Sequence, residues 1–266
     1  MKCTNPRFIP VKQPDGSYLR MLVPCGQCMA CRVQRTEEWS LRIMEETDYH
    51  DYNTFVTLTY DDDHLPDDNS LHKEDCQLFF KRLRSFLPSD LKIKYYLCGE
   101  YGEQFGRPHY HAIIFGLSAD DPAIKKSWTS GFIKAGSVTY DSAKYVAGYI
   151  QKKLTGKRSE EYGDKVAPLS LMSKGIGKQW MLDNEKYLTQ NLGLTVKGVH
   201  HGLPRYYKKN LDVREALQER AKKLVQEECK RLGLEVEGTR YIVNDVENKQ
   251  RDLNLKARLS MKRRKL

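Results

Sequence analysis

A chain of 266 residues with 39% hydrophobic and 30% charged side chains has material for one sizeable core, or a core with small appendages. That balance argues against a disordered chain, and no apolar run approaches the roughly 20 residues that span a bilayer. The net charge of +10 makes a polyanion a plausible partner, because Lys and Arg gain by displacing counterions from phosphates.

The N-terminus, "MKCTNPRFIPVKQPDGS", lacks the apolar stretch of a secretory signal, so a cytoplasmic protein is expected. Seven cysteines in such a chain suggest reduced thiols or metal ligands rather than a disulfide framework. The segment to about Arg35 is rich in Pro, Gly and Cys and reads as irregular and locally stapled. A helix is predicted from about Gln34 to Tyr49, with Thr36 as its cap. "NTFVTLTYDD" alternates β-branched and aromatic residues and reads as a strand, and "HKEDCQLFFKRLRSFLP" has helical spacing that stops at Pro88.

"LKIKYYLCGE" and "RPHYHAIIFGL" are two further strands, joined by "YGEQFG" into an antiparallel hairpin. "GFIKAGSVTY" reads as another short strand, and "DSAKYVAGYIQKKL" as a helix capped by Asp141 or Ser142. The order β-α-β-β-β-α predicts an α+β fold, a central antiparallel sheet with flanking helices. From Leu211 a polar helix follows, with Asp212 and Glu215 as a capping-box-like start and Gly233 as its stop. The expected division is a Cys-rich segment at 1–35, a core at 36–210, and a helical, basic extension at 211–266. No Gly-x4-Gly-Lys-Ser/Thr loop is present.

Strand side chains alternate, so His109 and His111 share one face while Tyr110 points to the other. If residues 101–108 form the hairpin loop, Glu100 lies opposite His109 on that same face. Two imidazoles and a carboxylate make a three-ligand platform for a divalent cation, with positions left for a phosphate oxygen and water. His-x-His also occurs as two half-buried histidines, each satisfied by a hydrogen bond.

"KYVAGYIQKK" sets Tyr145 and Tyr149 four residues apart on one helix face, with Lys152 and Lys153 a turn later. Such a helix can simply bury its tyrosines. However, Val146, Ile150 and Leu154 offer a separate apolar stripe for packing. A phenol is a weak nucleophile until its oxyanion is stabilised or charge is pulled from its electrophile. A metal polarising a scissile phosphate and a nearby ammonium would do both. Together these are the parts of a DNA nickase that forms a phosphotyrosine bond.

"PCGQCMACR" places Cys25, Cys28 and Cys31 at three-residue intervals, with Cys3 upstream. Four thiolates in a tetrahedron would hold a structural Zn²⁺ and order a segment too irregular to fold alone; reduced thiols with no metal are the other reading. Cys76, Cys98 and Cys229 are isolated and read as small buried hydrophobes. "YDDDHLPDD" reads as a solvated acidic loop. "HHGLPRYYKK" interleaves basic and aromatic residues in a way that suits base stacking with phosphate contact, or an ordinary surface turn.

"FVTLTY", "CGEYG…RPHYHAIIFG" and "YVAGYIQKK" occur in the order of the three motifs of HUH-type rolling-circle replication initiators, and the chain resembles those of microviruses, especially the gokushovirus branch. The resemblance covers about Asn53 to Leu154; "VPCGQCMACR" and "LMSKGIGKQW" also look like that branch. It implies that His109 and His111 bind Mg²⁺ or Mn²⁺, with Glu100 as third ligand and Glu103 as a competitor for that role. It makes Tyr145 and Tyr149 nucleophiles, and Lys152 the charge stabiliser with Lys153 as alternative. Single-stranded origin DNA is the implied substrate, contacted by Arg107, Arg205, Lys208 and Lys209. A host helicase and polymerase are the implied partners, in the cytoplasm of the bacterial host. Relaxases and transposases share this chemistry, and a noncatalytic zinc-stapled DNA-binding regulator would share the fold.

Overall fold

The computed structural model describes residues 3–12, 15–102, 105–152, 162–196, 198–231 and 253–257. Two compact units are present, one of residues 1–30 with 181–266 and the other of residues 31–180. The N-terminal stretch is not irregular. Strands β1 (Arg7–Lys12) and β2 (Tyr18–Val23) pair antiparallel, Arg7 opposite Val23 and Lys12 opposite Tyr18. Between them Asp15 Oδ1 accepts from the Ser17 amide at 2.9 Å beside a left-handed Gly16. Its turn residues are hairpin chemistry, hidden by the surrounding Pro and Cys.

Helix α1 (Met29–Thr47) starts before the expected position, because nothing in "MACRVQR" breaks a helix. Thr36 is therefore interior and not a cap; its hydroxyl donates to the Arg32 carbonyl at 3.2 Å. After α1 come β3 (Asn53–Tyr60), α2 (Lys73–Phe86), β4 (Lys94–Tyr101), β5 (Pro108–Phe115), α3 (Pro122–Ser127), β6 (Gly131–Ser137), α4 (Tyr140–Lys152) and β7 (Leu169–Met172). The five strands form one antiparallel sheet in the order β6-β3-β5-β4-β7, the predicted α+β architecture.

Alternation divides the sheet into two faces. Val56, Leu58, Tyr60, Tyr110, Ala112 and Ile114 pack with Phe79, Phe80 and Leu83 of α2. On the other face Tyr96, Cys98, Ile113 and Phe115 pack with Ile43 of α1 and Ala143, Val146 and Ala147 of α4. The central strand β5 is thus covered on both sides, which explains its unbroken apolar run. Each such side chain contributes about 1.5–3 kcal/mol when fully buried.

Helix α4 is capped by Thr139, not by Asp141 or Ser142 alone. The Ser142 amide donates to Thr139 Oγ1 at 3.1 Å and the Thr139 amide to Ser142 Oγ at 2.7 Å, a reciprocal capping box. At the far end of the sheet the buried Glu46 carboxylate accepts from Lys94 Nζ at 2.6 Å and the Gly177 amide at 2.7 Å, and contacts His50 Nε2 at 2.9 Å. This anchors α1 to β4 and to the "SKGIGK" turn.

Beyond β7 follow α5 (Lys178–Asp183), α6 (Glu185–Asn191), the β8 (Gly193–Val196) and β9 (Val199–Gly202) hairpin, α7 (Arg205–Asn210) and α8 (Arg214–Arg231). Helix α8 begins two residues after Asp212, with the Leu217 amide bonded to the Val213 carbonyl at 2.9 Å. Gly233 and the terminal "KRRKL" lie outside the described residues. No helix among the described residues is long and apolar enough to cross a membrane.

Candidate active site

The β4–β5 hairpin places Glu100 directly opposite His109, and Cys98 opposite His111. Gly99 makes room at this point: a Cβ would stand 2.9 Å from the Tyr110 ring and from Leu71, so glycine lets Tyr110 seat beneath Glu100. Glu100 Oε1 lies 3.0 Å from His109 Nε2 and 3.4 Å from His111 Nε2. The three ligand atoms are all within 4.8 Å of one another.

The outer ring nitrogens orient the imidazoles. His109 Nδ1 is 3.2 Å from the Arg107 carbonyl, which can only accept, so that nitrogen carries the proton and Nε2 presents its lone pair. His111 Nδ1 is 3.0 Å from Thr57 Oγ1, and its Nε2 likewise faces Glu100. A lone pair and a buried carboxylate oxygen 3.0 Å apart repel unless a proton or a cation lies between them. The donor set therefore fits a hard or borderline divalent cation.

Both tyrosines of α4 reach this platform. Tyr149 stacks on His111, and Tyr145 meets the same imidazole edge-on, each with ring centroids 5.3 Å apart. The two phenol rings are 4.8 Å from each other. Their environments differ: Tyr149 is 5% exposed and Tyr145 50%. Burial raises the Tyr149 pKa well above the ordinary phenol range, and hydrogen bonds with Glu100 and Tyr145 raise it further. The apolar stripe of α4 is thus not separate from its tyrosines; Tyr149 packs within it beside Val146.

An open cleft over the histidines is lined by Thr57, Thr59, Phe105 and Arg107. Arg107 donates to the Tyr60 carbonyl at 2.9 Å and pairs with Asp62, which holds its guanidinium at the cleft rim. Lys152 is the last residue of α4, its side chain outside the description, and Lys153 and Glu103 lie outside the described residues. Arg205, Lys208 and Lys209 are exposed on α7 in the other compact unit, while Tyr207 between them is fully buried. The aromatic part of that stretch therefore packs inward and is not free to stack on bases. Sequence alone does not single out Thr57, or Phe55, which stacks on His111 at 5.7 Å. Their only signal is the period-2 pattern of "NTFVTLTY", which marks a face without saying what it adjoins.

In the N-terminal segment, Cys3 Sγ lies 3.6 Å from Cys25 Sγ and 3.7 Å from Cys28 Sγ. A tetrahedron of thiolates about 2.3 Å from a zinc has edges of roughly 3.8 Å, so this spacing fits that ion. The amides of Gln27 and Cys28 donate to Cys25 Sγ at 3.4 and 3.2 Å, which favours the thiolate form. Cys31 follows one helical turn after Cys28, on α1. Cys76 and Cys98 are fully buried, as expected of isolated thiols, whereas the Cys229 side chain lies outside the description.

Residues 53–154 match the family model of replication-associated proteins of the ORF2 type. That range starts at the first residue of β3 and passes the end of α4, so it contains the whole histidine–glutamate–tyrosine cluster. The chain is 36% identical over 210 residues to replication-associated protein VP4 of Bdellovibrio phage phiMH2K, covering 69% of this chain and 65% of that one. It is 33% identical to replication-associated protein ORF2 of Spiroplasma virus 4, covering 71% of this chain and 68% of that one. Replication-associated protein ORF4 of Chlamydia phage 1 is 28% identical, with 70% of this chain and 52% of that protein covered. The chain thus spans about two thirds of the length of the first two relatives and about half of the third. No solved structure matches it. The matched region and the two thirds of a viral relative that align with it make the conclusion plain: the chain belongs to the ORF2-type family of phage replication-associated proteins.

Proposed function

We propose that the protein is a replication initiator that cuts single-stranded origin DNA through a 5′-phosphotyrosine intermediate and later rejoins a unit-length circle. The observation that carries this reading is the convergence of Tyr145 and Tyr149 on the Glu100–His109–His111 platform, each ring 5.3 Å from His111. Membership of a replication-associated family supports it.

Glu100, His109 and His111 would hold Mg²⁺ or Mn²⁺, which when bound polarises the scissile phosphate and stabilises its developing charge. Tyr145, the more exposed phenol, attacks phosphorus through Oη and gives its proton to solvent. The phosphorus–O3′ bond breaks, and the departing oxygen takes up a proton to become a free 3′-hydroxyl. That hydroxyl primes a host polymerase behind a host helicase, in the cytoplasm of the infected bacterium. Tyr149 then attacks the regenerated junction after a round of synthesis, and the 3′-hydroxyl released in that second cut attacks the first phosphotyrosine and closes the circle. Lys152, or Lys153, offsets charge on the phenolate. Arg107 contacts backbone phosphate at the cleft rim, and Arg205, Lys208 and Lys209 contact it elsewhere. Cys3, Cys25 and Cys28, with Cys31, hold a structural Zn²⁺.

The test is incubation with labelled single-stranded origin DNA and Mn²⁺ or Mg²⁺, then a denaturing gel and peptide mass spectrometry. An adduct on Tyr145 or Tyr149 supports the reading. Tight binding to a verified origin that denaturant fully releases would instead favour a noncatalytic DNA-binding regulator.

A further inference from the structure

The sheet face that carries the histidines continues, away from α4, onto β3 and the edge strand β6. Register defines two rows across it. Glu100, His109, Thr59 and Phe132 lie opposite one another in succession, and Cys98, His111, Thr57 and Lys134 form the next row. Directly opposed residues of an antiparallel pair share a face, so Phe132 and Lys134 stand on the same surface as the metal-ligand candidates. Ile133 and Ala135, which alternate with them, pack toward the opposite core.

This part of the face is open. Phe132 is 69% exposed and Lys134 is exposed, although Phe132 sits on an edge strand where natural sheets favour charge over bare aromatic surface. Its position is tightly specified: Gly131 has φ +139°, and a Cβ there would stand 2.3 Å from the Asp61 amide nitrogen. The Trp128 indole donates to the Thr59 carbonyl at 3.2 Å, tying the entry of β6 to β3. Phe132 lies two strand spacings from His109, roughly 10 Å.

We propose that Phe132 and Lys134 form a nucleotide subsite on the open half of the sheet. Phe132 stacks on a base of single-stranded DNA next to the scissile phosphate, and Lys134 contacts a backbone phosphate of the same tract. An exposed aromatic alternating with a cation, continuous with a phosphate-directed site, is the combination that binds single strands with little sequence preference. The subsite rests on the reading of the protein as a DNA-cleaving initiator, because that reading supplies the strand that crosses the face.

The experiment measures equilibrium binding of a fluorescent single-stranded oligonucleotide by anisotropy, in the Tyr145→Phe/Tyr149→Phe background so that no cleavage intervenes. Phe132→Ala and Phe132→Leu should each weaken binding about tenfold, and Phe132→Trp should restore it. Lys134→Ala should lower the slope of log affinity against log salt by about 0.7, the value of one single-strand phosphate contact. An abasic nucleotide scanned along the oligonucleotide should weaken the parent at one position and leave Phe132→Ala indifferent there. Phe86, 52% exposed on α2 against the opposite face, provides the control; Phe86→Ala should bind as the parent. The subsite is overturned if both shelf variants bind within twofold of the parent with the same salt slope. It is equally overturned if Phe132→Ala changes only the oligomeric state seen by light scattering. Cleavage by the wild type is scored separately. Failure to cleave with the shelf effects intact sinks the nicking reading alone, normal cleavage with no shelf effects sinks the subsite alone, and absence of both binding and cleavage sinks both.

Discussion

Tyr149 lies face to face with His111, the ring planes 9° from parallel and the centroids 5.3 Å apart, while Tyr145 meets the same imidazole at 74°. Two phenols four residues apart on one helix thus face one histidine in different ways, one buried and one half-exposed. If both are nucleophiles, the exposed phenol is the better placed to meet an incoming strand. Tyr145→Phe should therefore slow the first cut more than Tyr149→Phe, each retaining some activity. The double variant should lose on the order of a thousandfold or more, as removing a nucleophile generally does. Adduct yield on a denaturing gel checks this; normal cleavage at the same position by the double variant would remove both tyrosines from the chemistry.

The Thr57 hydroxyl, 3.0 Å from His111 Nδ1, is expected to hold that imidazole with Nε2 toward Glu100. Thr57→Val keeps the shape and removes the hydrogen bond, so metal affinity should fall about 10- to 100-fold. His109→Ala should abolish metal-dependent cleavage while leaving much of the phosphate-driven DNA binding. Mn²⁺ titration followed calorimetrically, alongside cleavage with and without chelator, measures both. Unaltered Mn²⁺ affinity in both variants would mean the ion sits elsewhere.

Sulfur spacings of 3.6 and 3.7 Å around Cys3 predict one zinc per chain, retained through purification. Elemental analysis should find it, and a Cys25→Ser/Cys28→Ser variant should lose it. A wild-type protein whose thiols all react freely and which carries no zinc would establish the cluster as simple reduced cysteines.

Burial pushes the pKa of Glu46 up, but hydrogen bonds with His50, Lys94 and the Gly177 amide outweigh it and hold it below the ordinary 4.5. The unfolded chain then binds the proton more readily than the folded one, so this stabilisation is present above about pH 4.5 and disappears as pH falls through the lower folded value. Glu46→Gln should cost about 2 kcal/mol at pH 7 and flatten the acid limb of the stability curve. Denaturant melts at several pH values would reveal it; an unchanged acid limb would show that other carboxylates set it.

Gly131 begins β6 with φ +139° and no space for a Cβ. Gly131→Ala should destabilise the fold by about 1–3 kcal/mol, the usual cost of such backbone strain. Gly136→Ala, with no atom within 4 Å of the added methyl, is the matched control for glycine loss in the same strand. Equal melting temperatures for the two variants would contradict the steric account.

What can be read in the chain is whatever depends on neighbours close in sequence. His109, His111 and Glu100 are legible because strand alternation and a short hairpin loop are enough to bring them opposite one another. The pairing of Tyr145 with Tyr149 follows from helical spacing alone. Thr36 and the α4 cap are misread from sequence because helix ends turn on single hydrogen bonds that several polar residues compete to make.

Thr57, Phe132 and Lys134 are invisible there because their positions depend on β3 pairing with both β5 and β6, contacts between strands separated by dozens of residues. Periodicity marks each strand's two faces but carries no information about which strands become neighbours, since many pairings would satisfy the same pattern. Likewise the sequence makes Tyr145 and Tyr149 equivalent, and only the seating of α4 on β4 and β5 buries one and exposes the other. Local spacing thus determined the ligands and the paired tyrosines, whereas long-range packing decided the face they share and the unequal exposure of the two phenols.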